Sequence, residues 1–165
     1  MRRCSILGTV ARQVTAAGNR PIVRELAAVE THLAYLAMLE LRPGIGSETE
    51  FVERVNQLQR PEGYRLIAAF VDREQQAAAV AGFRTGHFLA WGHVLYCDDL
   101  SSRAVFRRQG HAGGLVDWLV AEGRRLGCDQ FHLDSGVIRE RWDAHRLYMN
   151  KGMAISAHHF SMDLR

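Results

Sequence analysis

Lysine is almost missing from this chain. Lys151 stands alone, and arginine supplies the rest of the 21 basic residues. A Walker-type phosphate loop, which ends in Gly-Lys-Ser/Thr, is therefore excluded. Cysteine is scarce as well. Cys4, Cys97 and Cys128 lie far apart and form no Cys-x-x-Cys pair, which argues against a disulfide framework or a zinc site. Reduced thiols in a cytoplasmic protein are the expectation. No apolar run approaches the ~20 residues that span a bilayer, so no membrane partner is expected. His158-His159 has no third ligand at metal spacing, so no metal is expected either. Ser135 lacks a Gly-x-Ser-x-Gly setting, which argues against a hydrolase nucleophile.

What is present suits one globular unit. The 165 residues are 47% hydrophobic, enough for a single domain spanning 1–165 with a full core. The net charge of +3 is too small to argue for nucleic acid. Residues 1–24 are arginine-rich and contain no acid. That composition suits an organelle-targeting segment, but Ile6 to Ala11 is too short for a secretory core. Residues 1–19 are read instead as a lead-in with a first strand over Thr9 to Thr15.

Hydrophobic periodicity then sets out the elements. A helix is expected from Pro21 to Leu41, with Leu26, Val29, Leu33 and Leu36 as its buried stripe. Ser47 and Glu50 read as a capping box, followed by a helix with Phe51, Val55 and Leu58 on its apolar face. Pro61-Glu62-Gly63 stops it. Arg65 to Val71 and Gln76 to Arg84 read as a hairpin joined by Asp72 to Gln75. A strand over His93 to Leu100, a helix to about Leu126 with Leu115, Val116, Leu119 and Val120 at helical spacing, a strand over Gln130 to Asp134 and a helix over Arg141 to Asn150 follow. Ala154 to Leu164 closes the order as a strand or strand pair.

The most informative stretch is Arg107-Arg108-Gln109-Gly110-His111-Ala112-Gly113-Gly114-Leu115, between the His93 strand and the next helix. The first amides of a helix have no intrahelical partner, and the dipole there favours an anion. Glycines allow close approach of the backbone. A Gly-x-Gly-x-x-Gly dinucleotide loop is excluded by the spacing.

This stretch resembles the acetyl-CoA loop of the GNAT N-acetyltransferase superfamily, Arg/Gln-x-x-Gly-x-Gly/Ala, with Arg107, Gly110 and Ala112 in those places. Ala144 to Met153 resembles the family's Ala-x-x-Phe-Tyr-x-x-x-Gly-Phe segment. The resemblance runs from about Arg20 to the end and is strong between Tyr96 and Gly152. It implies the α/β (α+β) fold of acyl-CoA N-acyltransferases, a mixed central sheet of about six or seven strands flanked by four helices. There are departures. Ser101-Ser102 stands where two valines are common, and Arg141 replaces an asparagine near the start of the last helix.

The resemblance also implies the chemistry. The cofactor would be acetyl-CoA (coenzyme A), its pyrophosphate on the amides of Arg107, Arg108, Gln109, Gly110, His111, Ala112 and Gly113. Its pantetheine arm would pair with the main chain of Leu100, Ser101 and Ser102, and Arg141 and His145 would approach it from the last helix. Tyr148 would be the general acid for the leaving thiolate. Asp98 and Asp99 are candidates for the base, beside a water chain. Strand alternation puts Tyr96 and Asp98 on one face and His93 and Asp99 on the other; a bulge changes that parity. The implied activity is direct transfer of acetyl to a primary amine in a ternary complex, the acceptor being a small molecule or peptide, with no nucleic acid. A homodimer fits the family. Polyamines, aminoglycosides, amino-acid derivatives and protein amines remain open as acceptors. The alternatives are a non-catalytic acetyl-CoA-binding sensor or regulatory module, and a toxin-like enzyme acting on aminoacyl-tRNA, which the low charge supports little.

Overall fold

The structure is a computed structural model and describes residues 21–164. The expected strand over Thr9 to Thr15 lies outside the described residues. One sheet organises the rest, in the order β1 (Ile22–Glu25), β2 (Arg65–Phe70), β3 (Ala79–Phe88), β4 (Gly92–Ser102) and β5 (Gln130–Leu133). The first four strands pair antiparallel, and β4 and β5 are parallel. The helices are α1 (Tyr35–Leu41), α2 (Glu48–Glu53), α3 (His111–Arg125) and α4 (Trp142–Asn150).

Alternation along β2 divides the core in two. Leu66 and Ala68 join Leu26, Met38, Phe51 and Val55 beneath α1 and α2. Ile67 and Ala69 join Phe83, Leu95, Leu115 and Leu119 beneath α3. The mixed α/β class is as expected, and α3 carries the anticipated stripe, with Leu115, Val116 and Leu119 fully buried. The capping box also forms. Ser47 Oγ accepts from the Glu50 amide, and Glu50 Oε2 accepts from the Ser47 amide at 2.7 Å.

Five expectations need correction. The helix expected over Pro21 to Leu41 starts only after a strand. The β-branched Ile22 and Val23 pair with Phe70 and Ala69, and Leu26 N–H still donates to Leu66 O. Val29, expected in the buried stripe, is 82% exposed. Leu58 is exposed too, because the chain beyond α2 widens into a π-type turn over Arg54–Gln59 and rotates off the helical stripe. The hairpin connection is longer than Asp72 to Gln75, since the buried Ala77 and Ala78 precede β3. Lastly, the sheet has five strands among the described residues, not six or seven. Ala154 to Leu164 joins no ladder. Its apolar positions change phase from Ile155 and Ala157 to Phe160, Met162 and Leu164, so no continuous face exists to bury.

Candidate active site

β4 is the spine of the site. Its register with β3 shifts between Gly82 and Phe83: Gly82 faces Asp99, Phe83 faces Cys97, and Asp98 is the extra residue of a bulge. The bulge cancels the alternation expected from the sequence and turns both carboxylates toward the α1–α2 side. Asp99 Oδ2 accepts from the Tyr64 hydroxyl at 3.0 Å, and Oδ1 faces Arg42 at the end of α1 at 2.9 Å. Asp98 Oδ2 accepts from Arg84 Nε at 3.0 Å. Tyr64 reaches Asp99 by crossing Gly82, where an added Cβ would lie 1.7 Å from the phenolic oxygen. Burial, with Asp99 beside it, pushes the Tyr64 hydroxyl well above the usual phenol range. Burial also raises Asp98, with Arg84 pulling the other way.

Just beyond Cys97 the sheet opens. β5 follows β4 in register only from Val94↔Gln130 to Cys97↔Leu133. From Asp98 to Ser102, β4 keeps β3 on one edge and, among the described residues, has no strand on the other. A cleft of about 1860 Å³ occupies this parting, with Tyr96, Asp98, Leu100, Asp134, Arg141 and Tyr148 among its walls. Such an edge pairs readily with an extended ligand.

The loop between β4 and α3 ends on two left-handed residues, Arg108 at φ 61° and Gly110 at φ 87°. The first α3-type bond runs from Gly114 N–H to Gly110 O. Among the described residues, the amides from Arg108 to Gly113 donate to nothing, six in succession at a helix start. That is the donor set a diphosphate takes. The neighbouring side chains are placed unequally. Arg107 is already engaged, 3.0 Å from Glu40 on α1 and bonded through Nε to Ser102 O. Arg108 is exposed and lies 3.6 Å from Asp143. Gln109 donates to Val105 O. Ala112 and Gly113 are half-buried in the first turn of α3, and Gly113 faces Leu147 and Lys151. The His111 ring is buried edge-on to Phe106, with neither nitrogen bonded among the described residues, and burial lowers its pKa. It is therefore held as a neutral core ring rather than a cation. Ser101 is buried, and Leu100 is half-buried on the open edge.

α4 closes the cleft. Tyr148 is 7% exposed, and its hydroxyl has no hydrogen-bond partner among the described residues. Burial raises its pKa, so the phenol carries its proton at neutral pH. Arg141 lines the same cleft. His145 instead ties α4 to the preceding loop: Nε2 sits 2.9 Å from Gly136 O and 3.1 Å from Ser135 Oγ. A carbonyl can only accept, so Nε2 carries the hydrogen and cannot serve Ser135 as a base. Cys97 is no nucleophile either, since burial and the two aspartates push its thiol up to about 12.

Sequence reasoning missed Tyr64, Arg84, Glu40 and Lys151, which hold the site from a distance. Only Lys151, the single lysine, carried a visible signal; its Nζ meets Asp117 on α3. Among the described residues no group of three or more His, Cys, Asp or Glu could hold a metal, and no helix is long and apolar enough to cross a membrane.

Comparison with known proteins places the fold. The model of the acetyltransferase (GNAT) family matches residues 32–153. No curated protein matches the chain. Among solved structures it is similar to an aminoglycoside N-acetyltransferase in complex with CoA, at TM-score 0.72 and 16% identity over 88% of this chain and 95% of that one. It is also similar to glucosamine-6-phosphate N-acetyltransferase from Arabidopsis thaliana, at TM-score 0.69 and 16% identity over 88% and 99%. A third is ribosomal-protein-alanine N-acetyltransferase from Brucella melitensis biovar Abortus 2308, at TM-score 0.72 and 16% identity over 87% and 99%.

Proposed function

The chain belongs to the acetyltransferase (GNAT) family, and on that premise we propose that it transfers an acetyl group from acetyl-CoA to a primary amine, directly, within a ternary complex. The observation that carries this reading is the conjunction of six unpaired amides, Arg108 to Gly113, with an unpaired β4 edge from Asp98 to Ser102. One suits a diphosphate and the other an extended amide-bearing arm, and the β4 edge, from Asp98 to Leu100, opens into the cleft that Tyr148 lines.

The residues divide the work as follows. The amides 108–113 hold the diphosphate, with Arg108 adding an exposed positive charge. Arg107 fixes the loop through Glu40, which also accepts from the Ala104 amide at 2.8 Å. The β4 edge from Asp98 to Ser102 holds the arm. Bound acetyl-CoA supplies the activated acyl group and a thiol leaving group. Free β4 amides beside the acyl carbonyl polarise it. Tyr148 keeps a proton for the departing sulfur. Asp98 and Asp99 set the polarity of the acceptor side, each already balanced by an arginine, so a water between them and the amine takes the proton. The insulated Cys97 supports direct transfer over a covalent acyl-enzyme.

Calorimetric titration with acetyl-CoA, with coenzyme A and ATP as controls, tests the cofactor. Binding of acetyl-CoA and coenzyme A but not ATP is expected, and Gly110→Asp should abolish it by setting a carboxylate against the diphosphate. No binding to the wild-type protein overturns the reading. Binding without thiol release across a panel of amines would leave the acyl-CoA-binding module instead.

A further inference from the structure

Three carboxylates line the cleft, and their electrostatic situations differ. Asp98 is paired with Arg84, and Asp99 with Arg42. Asp134 has no arginine or lysine against it among the described residues. Both of its contacts fall on one oxygen: Oδ2 accepts from the Tyr96 hydroxyl and faces His159 Nδ1 at 2.9 Å. Oδ1 has no partner among the described residues, and the side chain is 53% exposed. A guanidinium is a permanent cation, whereas an imidazole is not. Asp134 is thus the carboxylate of this cleft that no guanidinium balances among the described residues.

Its position matters as much as its charge. Asp134 is the first residue after β5, at the point where β4 and β5 part. Tyr96 pairs in register with His132, so Tyr96, His132 and Asp134 share one face of the sheet. The Trp91 ring stands 4.8 Å from that of His132 and also lines the cleft. A carboxylate oxygen with a free lone pair, oriented by a phenol and rimmed by an indole, is suited to an ammonium group.

We propose that Asp134, positioned by Tyr96, anchors a positively charged group of the acceptor, and that the acceptor is therefore an amine with a second cationic centre, such as a diamine. This rests on the acetyltransferase reading. The attacking nitrogen must be neutral, so a carboxylate bound to it would retain the proton that attack requires it to lose. A second, non-reacting ammonium has no such conflict. On entering, it binds the open Oδ1 of Asp134, while Tyr96 and His159 stay on Oδ2.

The test compares 1,4-diaminobutane with 1-aminobutane as acceptors, by thiol release at saturating acetyl-CoA. The wild-type protein should show a KM about tenfold lower for the diamine, the scale of one charge-assisted hydrogen bond. Asp134→Asn should remove that difference, leaving the KM for aminobutane and the acetyl-CoA affinity unchanged. Tyr96→Phe keeps the carboxylate and the ring, and should raise the diamine KM by a smaller factor. Equal use of both amines by the wild-type protein, or an unchanged KM ratio in Asp134→Asn, overturns the anchor and leaves acetyl transfer standing. Absence of transfer to any amine overturns both.

Discussion

In the proposed reaction Tyr148 is the residue on which proton delivery turns. It is buried at the wall of the cleft, its hydroxyl is unpartnered among the described residues, and burial favours its protonated form. Nothing in the packing uses that hydroxyl, so its removal should be felt in turnover rather than in folding. Tyr148→Phe is expected to lower kcat by about 10²-fold, the usual worth of a positioned general acid, with the calorimetric affinity for acetyl-CoA unchanged. Wild-type turnover in that variant would take Tyr148 out of the acid role. Gly82 matters for the opposite reason, through an absence. Any Cβ there meets the Tyr64 hydroxyl, which is pinned to Asp99. Gly82→Ala should cost about 1–3 kcal/mol in chemical denaturation, the range for overpacking a filled core. It should also displace Tyr64 from Asp99. A variant as stable as wild type would mean that Tyr64 has room to swing aside.

Elements were legible where local rules decide them. The stripe of α3 and the capping box at Ser47 and Glu50 need no knowledge of the rest of the chain, and both form as read. The glycine-led start of α3 at Gly110 was legible for the same reason, since glycine spacing and a helix start are local. What failed was decided by distant partners. Ile22 to Glu25 has a helix-compatible pattern but becomes a strand because β2 offers a free edge. The bulge at Asp98 cannot be read from β4 alone, because it is defined by register with Gly82 and Phe83. The pairing of each aspartate with its own arginine therefore stayed hidden, although both aspartates were picked out. The cap gives a direct test of how far local rules carry stability. Ser47→Ala removes the acceptor for the Glu50 amide and should destabilise the protein by about 1 kcal/mol in thermal melts. In a Glu50→Ala background the same change should cost less, because the box is reciprocal. Equal costs in both backgrounds would mean that the two bonds act independently.

At the scale of the whole molecule, one buried charge ties the sheet to the helix that carries the loop. Glu122 on α3 is 7% exposed and faces Arg65 of β2 at 2.6 Å and Arg125 at 2.7 Å, while Arg65 also holds Glu25 of β1. Those guanidiniums hold its carboxyl down to about 2, against an ordinary value of 4.5. The folded state thus binds this proton more weakly than the unfolded chain does, so ionisation favours the fold. The contribution is complete above about pH 4.5 and drains away as pH falls toward about 2. Glu122→Gln should therefore be less stable than wild type at pH 7, by about 2 kcal/mol once the half-exposed arginines are discounted. The gap should narrow steadily in denaturation curves taken between pH 4.5 and pH 2, because acid neutralises the wild-type carboxyl and leaves the amide unchanged. A gap that held constant over that range would show that the loss at Glu122 came from packing and hydrogen-bond geometry rather than from charge.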